Sequence, residues 1–142
     1  GINGCFERYA SGSGLMMHTT KLIEADPSAG KFLLNKGDGT ISGLIGKHIT
    51  EAALEGDLLS KQALAITGEW IGIGVATLCA ILDPSIVVIG GGVIEAGDLI
   101  LEPARQTLDR LMPFSGQHPH PKIVGAKLLN DAGLVGVADL AR

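Results

Sequence analysis

The 142-residue sequence is short of cysteine, of aromatic side chains and of charge, and each shortage narrows what the chain can be. Two cysteines, Cys5 and Cys79, are too few for the disulfide framework of a small secreted domain. Cys79 lies in an apolar run, where a lone thiol serves as a small core side chain. Charged residues make up 18% and the formal net charge is -4, so nothing pulls the chain electrostatically toward nucleic acid or an anionic membrane surface. An acidic chain can still take a phosphorylated ligand, because phosphate sites are often built from backbone N–H groups and local cations. No signal peptide is recognisable. The longest near-continuous apolar stretch, Trp70 to Leu82, is shorter than the roughly 20 residues that span a bilayer. No membrane partner is therefore expected, and a cytoplasmic location is.

What is present is a large apolar share: 46% hydrophobic residues, enough for one globular domain over residues 1–142. Gly1-Ile2-Asn3-Gly4-Cys5 opens in the middle of a turn-like sequence without an initiator methionine, so a longer parent is expected. From Cys5 to about Ala25 the spacing of Leu15, His18, Leu22 and Ala25 predicts one helix, stopped by Asp26-Pro27. Lys36-Gly37-Asp38-Gly39 is a turn signal, and Ile45 to Leu54 a short helix.

Leu58 to Leu82 predicts a long helix, amphipathic at first and then apolar all round, as in a helix buried between layers. Gly68, Gly72, Ala76 and Ala80 recur every four residues and make a small-residue ridge for a close neighbour. Asp83-Pro84 ends this helix. Ile86–Ile89 is then a buried, parallel strand that runs directly into Gly90-Gly91-Gly92. A helix from about Asp98 to Leu111, with Pro103 at its first full turn or at a kink, leads to the extended loop Gln117 to Pro121. Lys122 to Leu128 is a second strand and Gly133 to Arg142 a final helix. The alternation gives an α/β layered domain, helix-rich with a small sheet. The two strands are expected side by side, packed by the long helix through Ile71, Val75 and Leu78.

A strand that ends in three glycines at the carboxyl edge of a sheet lets a ligand lie against backbone free of Cβ atoms. Gly90, Gly91 and Gly92 fit such a nucleotide contact and fit a plain tight turn equally; they have neither P-loop nor Rossmann spacing. Glu7, at a helix start beside a glycine turn, suits sugar hydroxyls, or simply a solvated acid favoured by the helix dipole. Cys5 alone cannot hold zinc, which needs four ligands, and His18, His48, His118 and His120 lack the spacing to supply them. His118 and His120 are expected as solvated loop residues. Gly37-Asp38-Gly39-Thr40 follows no strand and is a turn rather than a phosphate loop.

Together these segments resemble one family. Gly1-x-x-Gly4-Cys5-x-Glu7 is similar to the tail of the Cys-x-Cys-Gly-x-x-Gly-Cys-x-Glu motif of the ROK family (repressors, open reading frames, kinases). Tyr9-Ala10-Ser11-Gly12, Asp83-Pro84, Val88 to Val93, Ala96-Gly97-Asp98 and the run from Asp131 to Arg142 continue the match in order. Gly14 stands where the family more often has alanine, a minor departure. Among members, the wording is most similar to the glucokinases.

The resemblance implies the C-terminal lobe of an actin-like ATPase (ribonuclease H-like) fold, and a parent that moves the ATP γ-phosphate to the 6-hydroxyl of glucose. It implies ATP with Mg, a homodimer, Glu7 on the sugar, Gly90, Gly91 and Gly92 beside ATP, and Cys5 as one ligand of a structural zinc in the parent. Further cysteines and a histidine ligand, the phosphate loop and the Asp that acts as base are missing from this chain. The chain alone is therefore expected to be inactive and to hold no zinc. The rival class is a sugar-responsive repressor of the same family, which would add nucleic acid as a partner; kinases for another hexose or an N-acetyl amino sugar, or ones using polyphosphate, also remain open.

Overall fold

The computed structural model describes residues 4–112, 119–128 and 132–140. Of the positions singled out above, Gly1, Ile2, Asn3, Gln117, His118, Asp131, Ala141 and Arg142 lie outside the described residues. The elements follow in the order α1 (Glu7–Ala10), α2 (Gly12–Ala25), α3 (Lys31–Leu34), α4 (Gly46–Leu54) and α5 (Leu58–Leu82). Then come β1 (Ile86–Ile89), a 3-10 helix (Gly92–Ala96), α6 (Asp98–Leu111), β2 (Lys122–Gly125) and α7 (Ala132–Leu140).

Helix α5 organises the domain. The Asp57 carboxylate caps it by accepting from Ser60 N–H at 2.8 Å. Asp83 ends it in the left-handed region (φ 44°), with Pro84 following. Against α5 lies α6, and the approach is close because of two glycines. A Cβ at Gly68 would meet the Ile100 carbonyl and Pro103; one at Gly72 would meet the Ala104 carbonyl and Thr107. The small-residue ridge thus works over its first half and ends before Ala80, which is exposed. Pro103 sits inside α6. Buried Leu15, Ile49, Leu64, Ile71, Val75, Ile100, Leu108 and Ile123 join α2, α4, α5, α6 and β2 in one apolar cluster.

The strands pair in parallel, Ile86 with Lys122 through Ile89 with Gly125. The crossover between them is the 3-10 helix and α6. Arg105 on α6 ties β2 to it: Nε and Nη2 donate to the Ile123 carbonyl at 3.2 and 3.1 Å. Its Nη1 donates to Asp98 at 2.9 Å and to Glu102 at 3.4 Å, and the Asp98 contact foremost raises the guanidinium pKa further.

Several expectations change. The single helix from Cys5 to Ala25 is two, broken at Ser11, whose backbone is extended (φ -131°, ψ -176°) and whose side chain accepts from Gly14 N–H. Gly14 is more than a minor departure, because a Cβ there would run into the Tyr9 backbone. A short helix, α3, precedes the turn at Gly37. In the second half of α5, Ile71 (4% exposed) and Val75 (3%) are buried as expected, but Leu78 is 49% exposed and Ile81 75%. An all-apolar helix lacks a polar face; whether a neighbour covers each side is decided by the layers around it. By length and composition α5 could cross a membrane, yet it packs as a core helix through residues such as Leu64, Ile71 and Val75.

Strand β1 is not buried on both faces: Val87 and Ile89 pack inward while Ile86 and Val88 (58% exposed) point outward. Strand β2 ends at Gly125 rather than Leu128, because β1 runs out. Ala126 N–H makes the last bond, to the Ile89 carbonyl at 2.8 Å, before the chain turns away. The closing helix starts at Ala132.

Candidate functional site

Three segments distant in sequence converge on one cleft of about 420 Å³. The first is Gly90-Gly91-Gly92, delivered by β1 to the carboxyl edge of the sheet. The second is the junction of α1 with the start of α2, with Ala10, Ser11 and Gly12. The third is the start of α4, with Gly46, Lys47 and Thr50. Two helix N-termini therefore open toward the bare glycine backbone, and helix N-termini carry partial positive charge and unpaired N–H groups. No side chain caps the first N–H groups of α4; the Ile45 N–H before it donates to His48 Nδ1 at 3.3 Å. The exposed Lys47 ammonium, 3.7 Å from Glu51, adds a cation to this rim. Glu95 also lines the cleft, so its rim carries a carboxylate as well as the Lys47 ammonium, and it is the helix N-termini and bare backbone that suit an anion.

All three glycines of the triplet are exposed. A Cβ built at Gly92 would have no heavy atom within 4 Å, and one at Gly90 only the Ala126 Cβ at 3.8 Å. Gly91 has φ 95° and ψ 169°, a region open to glycine almost alone. Packing against the protein thus explains none of the three; the turn explains Gly91 only.

Glu7 stands in the first turn of α1, exposed, and is joined to the cleft wall. Ser11 Oγ donates to its Oε1 at 3.0 Å. The segment is anchored from below: buried His18 lies 3.0 Å from the Tyr9 carbonyl through Nε2. A carbonyl only accepts, so Nε2 carries the proton. The Tyr9 ring also packs on Trp70, with centroids 4.5 Å apart. His18 is a satisfied core histidine.

Cys5 is exposed, and among the described residues no three His, Cys, Asp or Glu side chains gather in a way that could hold a metal. The described residues by themselves do not fit zinc. Cys79 is buried, and burial foremost, with Asp83 nearby, pushes its thiol pKa up. His120 corrects the expectation of a solvated loop residue: its Nδ1 is 2.7 Å from Asp109 Oδ1 and its side chain is largely covered. The Asp38 segment is a turn. Its carboxylate accepts from the Thr40 hydroxyl at 2.7 Å and the Thr40 N–H at 2.9 Å, and these bonds, the hydroxyl first, hold its pKa below the usual carboxylate value.

The sequence pointed to Glu7 and the glycine triplet separately. It missed Ser11, Lys47 and Thr50 as neighbours of the same cleft. A Ser-Gly pair after a short apolar run is an N-cap signal, so the break at Ser11 was readable; the wall from α4 was not, because it depends on how α4 docks.

Known proteins resemble this chain along its whole length. The family model described as the ROK family matches residues 1–142. A glucokinase from Streptomyces coelicolor is 40% identical over the whole chain, which spans 45% of that protein's length. A xylose repressor from Caldicellulosiruptor bescii is 30% identical over 94% of the chain and 32% of its own length. Among solved structures, a ROK family glucokinase from Streptomyces griseus in complex with glucose and AMPPNP superimposes with a TM-score of 0.92 and 40% identity. That match covers 99% of the chain and 45% of the glucokinase. The helix-rich α/β fold with its small parallel sheet is accordingly of the actin-like ATPase class. Motifs, fold and family model coincide along the chain, which belongs to the ROK family.

Proposed function

We propose that this chain is the C-terminal lobe of an ATP-dependent sugar kinase, with glucose as the acceptor. The carrying observation is the cleft in which the exposed triplet Gly90 to Gly92 faces the N-termini of α2 and α4, with Glu7 tied to the same wall through Ser11. A nucleotide would lie against the glycines with its phosphates toward the helix N-termini and Lys47. Sugar hydroxyls would donate to Glu7. The likeness to a glucokinase solved with glucose and AMPPNP supports both halves of this reading.

Phosphoryl transfer is mainly positioning and charge stabilisation, with a base to orient the nucleophile. This chain supplies one wall of such a site. In our reading the base and the remaining phosphate contacts belong to sequence outside it, so the 142 residues alone phosphorylate nothing. Mg would enter with the ATP phosphates. A structural zinc would require ligands beyond Cys5 from outside this chain. A cytoplasmic homodimer completes the proposal.

The test is a coupled assay of the full-length protein across sugars and phosphoryl donors, including polyphosphate, with Glu7→Gln beside the unmodified enzyme. Removing the charge while keeping the shape is expected to weaken sugar binding by roughly 1.5–3 kcal/mol, the range for hydrogen bonds to charged groups. Nucleotide KM should change little. An unchanged sugar KM would reduce Glu7 to a helix-end acid. The likeness to a xylose repressor favours a second reading, a sugar-responsive regulator. Sugar-dependent DNA binding without sugar phosphorylation would establish that one instead.

A further inference from the structure

Resting on the assignment of Glu7 to the sugar, we propose that Ser11 is a positioning residue for the Glu7 carboxylate. Ser11 interrupts an otherwise helical pattern between α1 and α2. Its hydroxyl donates to Glu7 Oε1 at 3.0 Å while accepting from Gly14 N–H at 3.4 Å, and its carbonyl accepts from Leu15 N–H at 2.8 Å. A hydroxyl has one proton to give; capping α2 uses a lone pair and leaves that proton for the carboxylate.

This second bond matters because little else holds Glu7. Helix α1 is four residues long, has no side-chain cap and buries none of its residues. By contrast, Ser11 is fixed as the N-cap of the 14-residue α2 and lines the cleft with the glycine triplet. Engaging one carboxylate oxygen from that firm base restricts rotation of the carboxylate, so sugar donors meet an acceptor already oriented. The same residue joins the sugar contact to the wall of the nucleotide cleft.

Capping and positioning are separable by substitution. Glycine is nearly as good as serine at a helix N-cap but has no hydroxyl, whereas threonine keeps both the cap and the donor. In the full-length kinase, Ser11→Gly and Ser11→Ala are expected to raise sugar KM about three- to ten-fold, the range for one lost hydrogen bond. Ser11→Thr should stay near the unmodified value. Nucleotide KM should move less than sugar KM in each case. In a Glu7→Ala background, Ser11→Gly should add little further loss, because the carboxylate it positions is gone. Thermal unfolding of every variant separates weakened folding from weakened binding. If Glu7→Gln raises sugar KM but Ser11→Gly and Ser11→Ala do not, the positioning role is overturned while the Glu7 assignment stands. If Glu7→Gln itself leaves sugar KM unchanged, both fall.

Discussion

Gly68 and Gly72 in α5, and Gly90 to Gly92 after β1, are two sets of glycines retained for opposite reasons. At Gly68 and Gly72 the place of a side chain is filled by the backbone of α6, whose Ile100 and Ala104 carbonyls come within contact of the missing Cβ. At Gly90 and Gly92 that place is empty apart from ordinary contact with Ala126. The first pair trades helix propensity, roughly 1 kcal/mol per glycine relative to alanine, for close packing of two helices. The triplet leaves space facing a cleft. Glycine in a sequence marks a missing side chain; the surroundings tell whether protein or ligand uses the gap.

The contrast can be broken most forcefully at Gly72. Gly72→Val should destabilise the full-length protein by about 3 kcal/mol, the upper end for over-packing, since a backbone carbonyl cannot swing aside as a side chain does. Denaturant unfolding measures it, and an unshifted midpoint would show that α5 and α6 do not approach as described. Next comes Gly91→Ala, whose φ of 95° and ψ of 169° make the residue strained whatever the space around it. A loss of roughly 1–3 kcal/mol is expected there.

A smaller effect is expected at Gly14, inside α2. Alanine there would improve helix propensity by roughly 1 kcal/mol, but its Cβ meets the Tyr9 carbonyl. We expect a net loss of about 1 kcal/mol by thermal unfolding, within the usual range for over-packing; a net gain would mean that the α1–α2 junction shifts freely. The smallest stability change belongs to Gly92→Ala, with Gly90→Ala as its companion: within about 0.5 kcal/mol of the unmodified protein, as for exposed sites without special contacts. Calorimetric titration should nonetheless show weaker nucleotide binding with sugar binding retained. Unchanged nucleotide affinity in both variants would remove the triplet from the ligand site and leave it a turn.

Much of the fold was legible. The helix from Leu58 to Leu82 and the strand from Ile86 to Ile89 fall where their patterns place them, because Asp57, Asp83 and Pro84 are local stop and start signals. Boundaries set by a partner were not: β2 stops where β1 does. The exposed Leu78 and Ile81 show the same limit, since hydropathy records what a side chain prefers and not what lies opposite it. At the site, Glu7 and Gly90 to Gly92 carried recognisable motifs, while Lys47 and Thr50 carried none.

By itself, then, the sequence determined the types of the longer elements, the end of α5, the glycine turn after β1 and the family, all of which rest on local periodicity, caps or motif order. Tertiary structure alone decided that the starts of α2 and α4 meet the glycine triplet at one cleft. The physical reason is range. Caps and turns act over three or four residues, whereas the cleft joins positions 11, 47 and 91 through the docking of helices on a shared core.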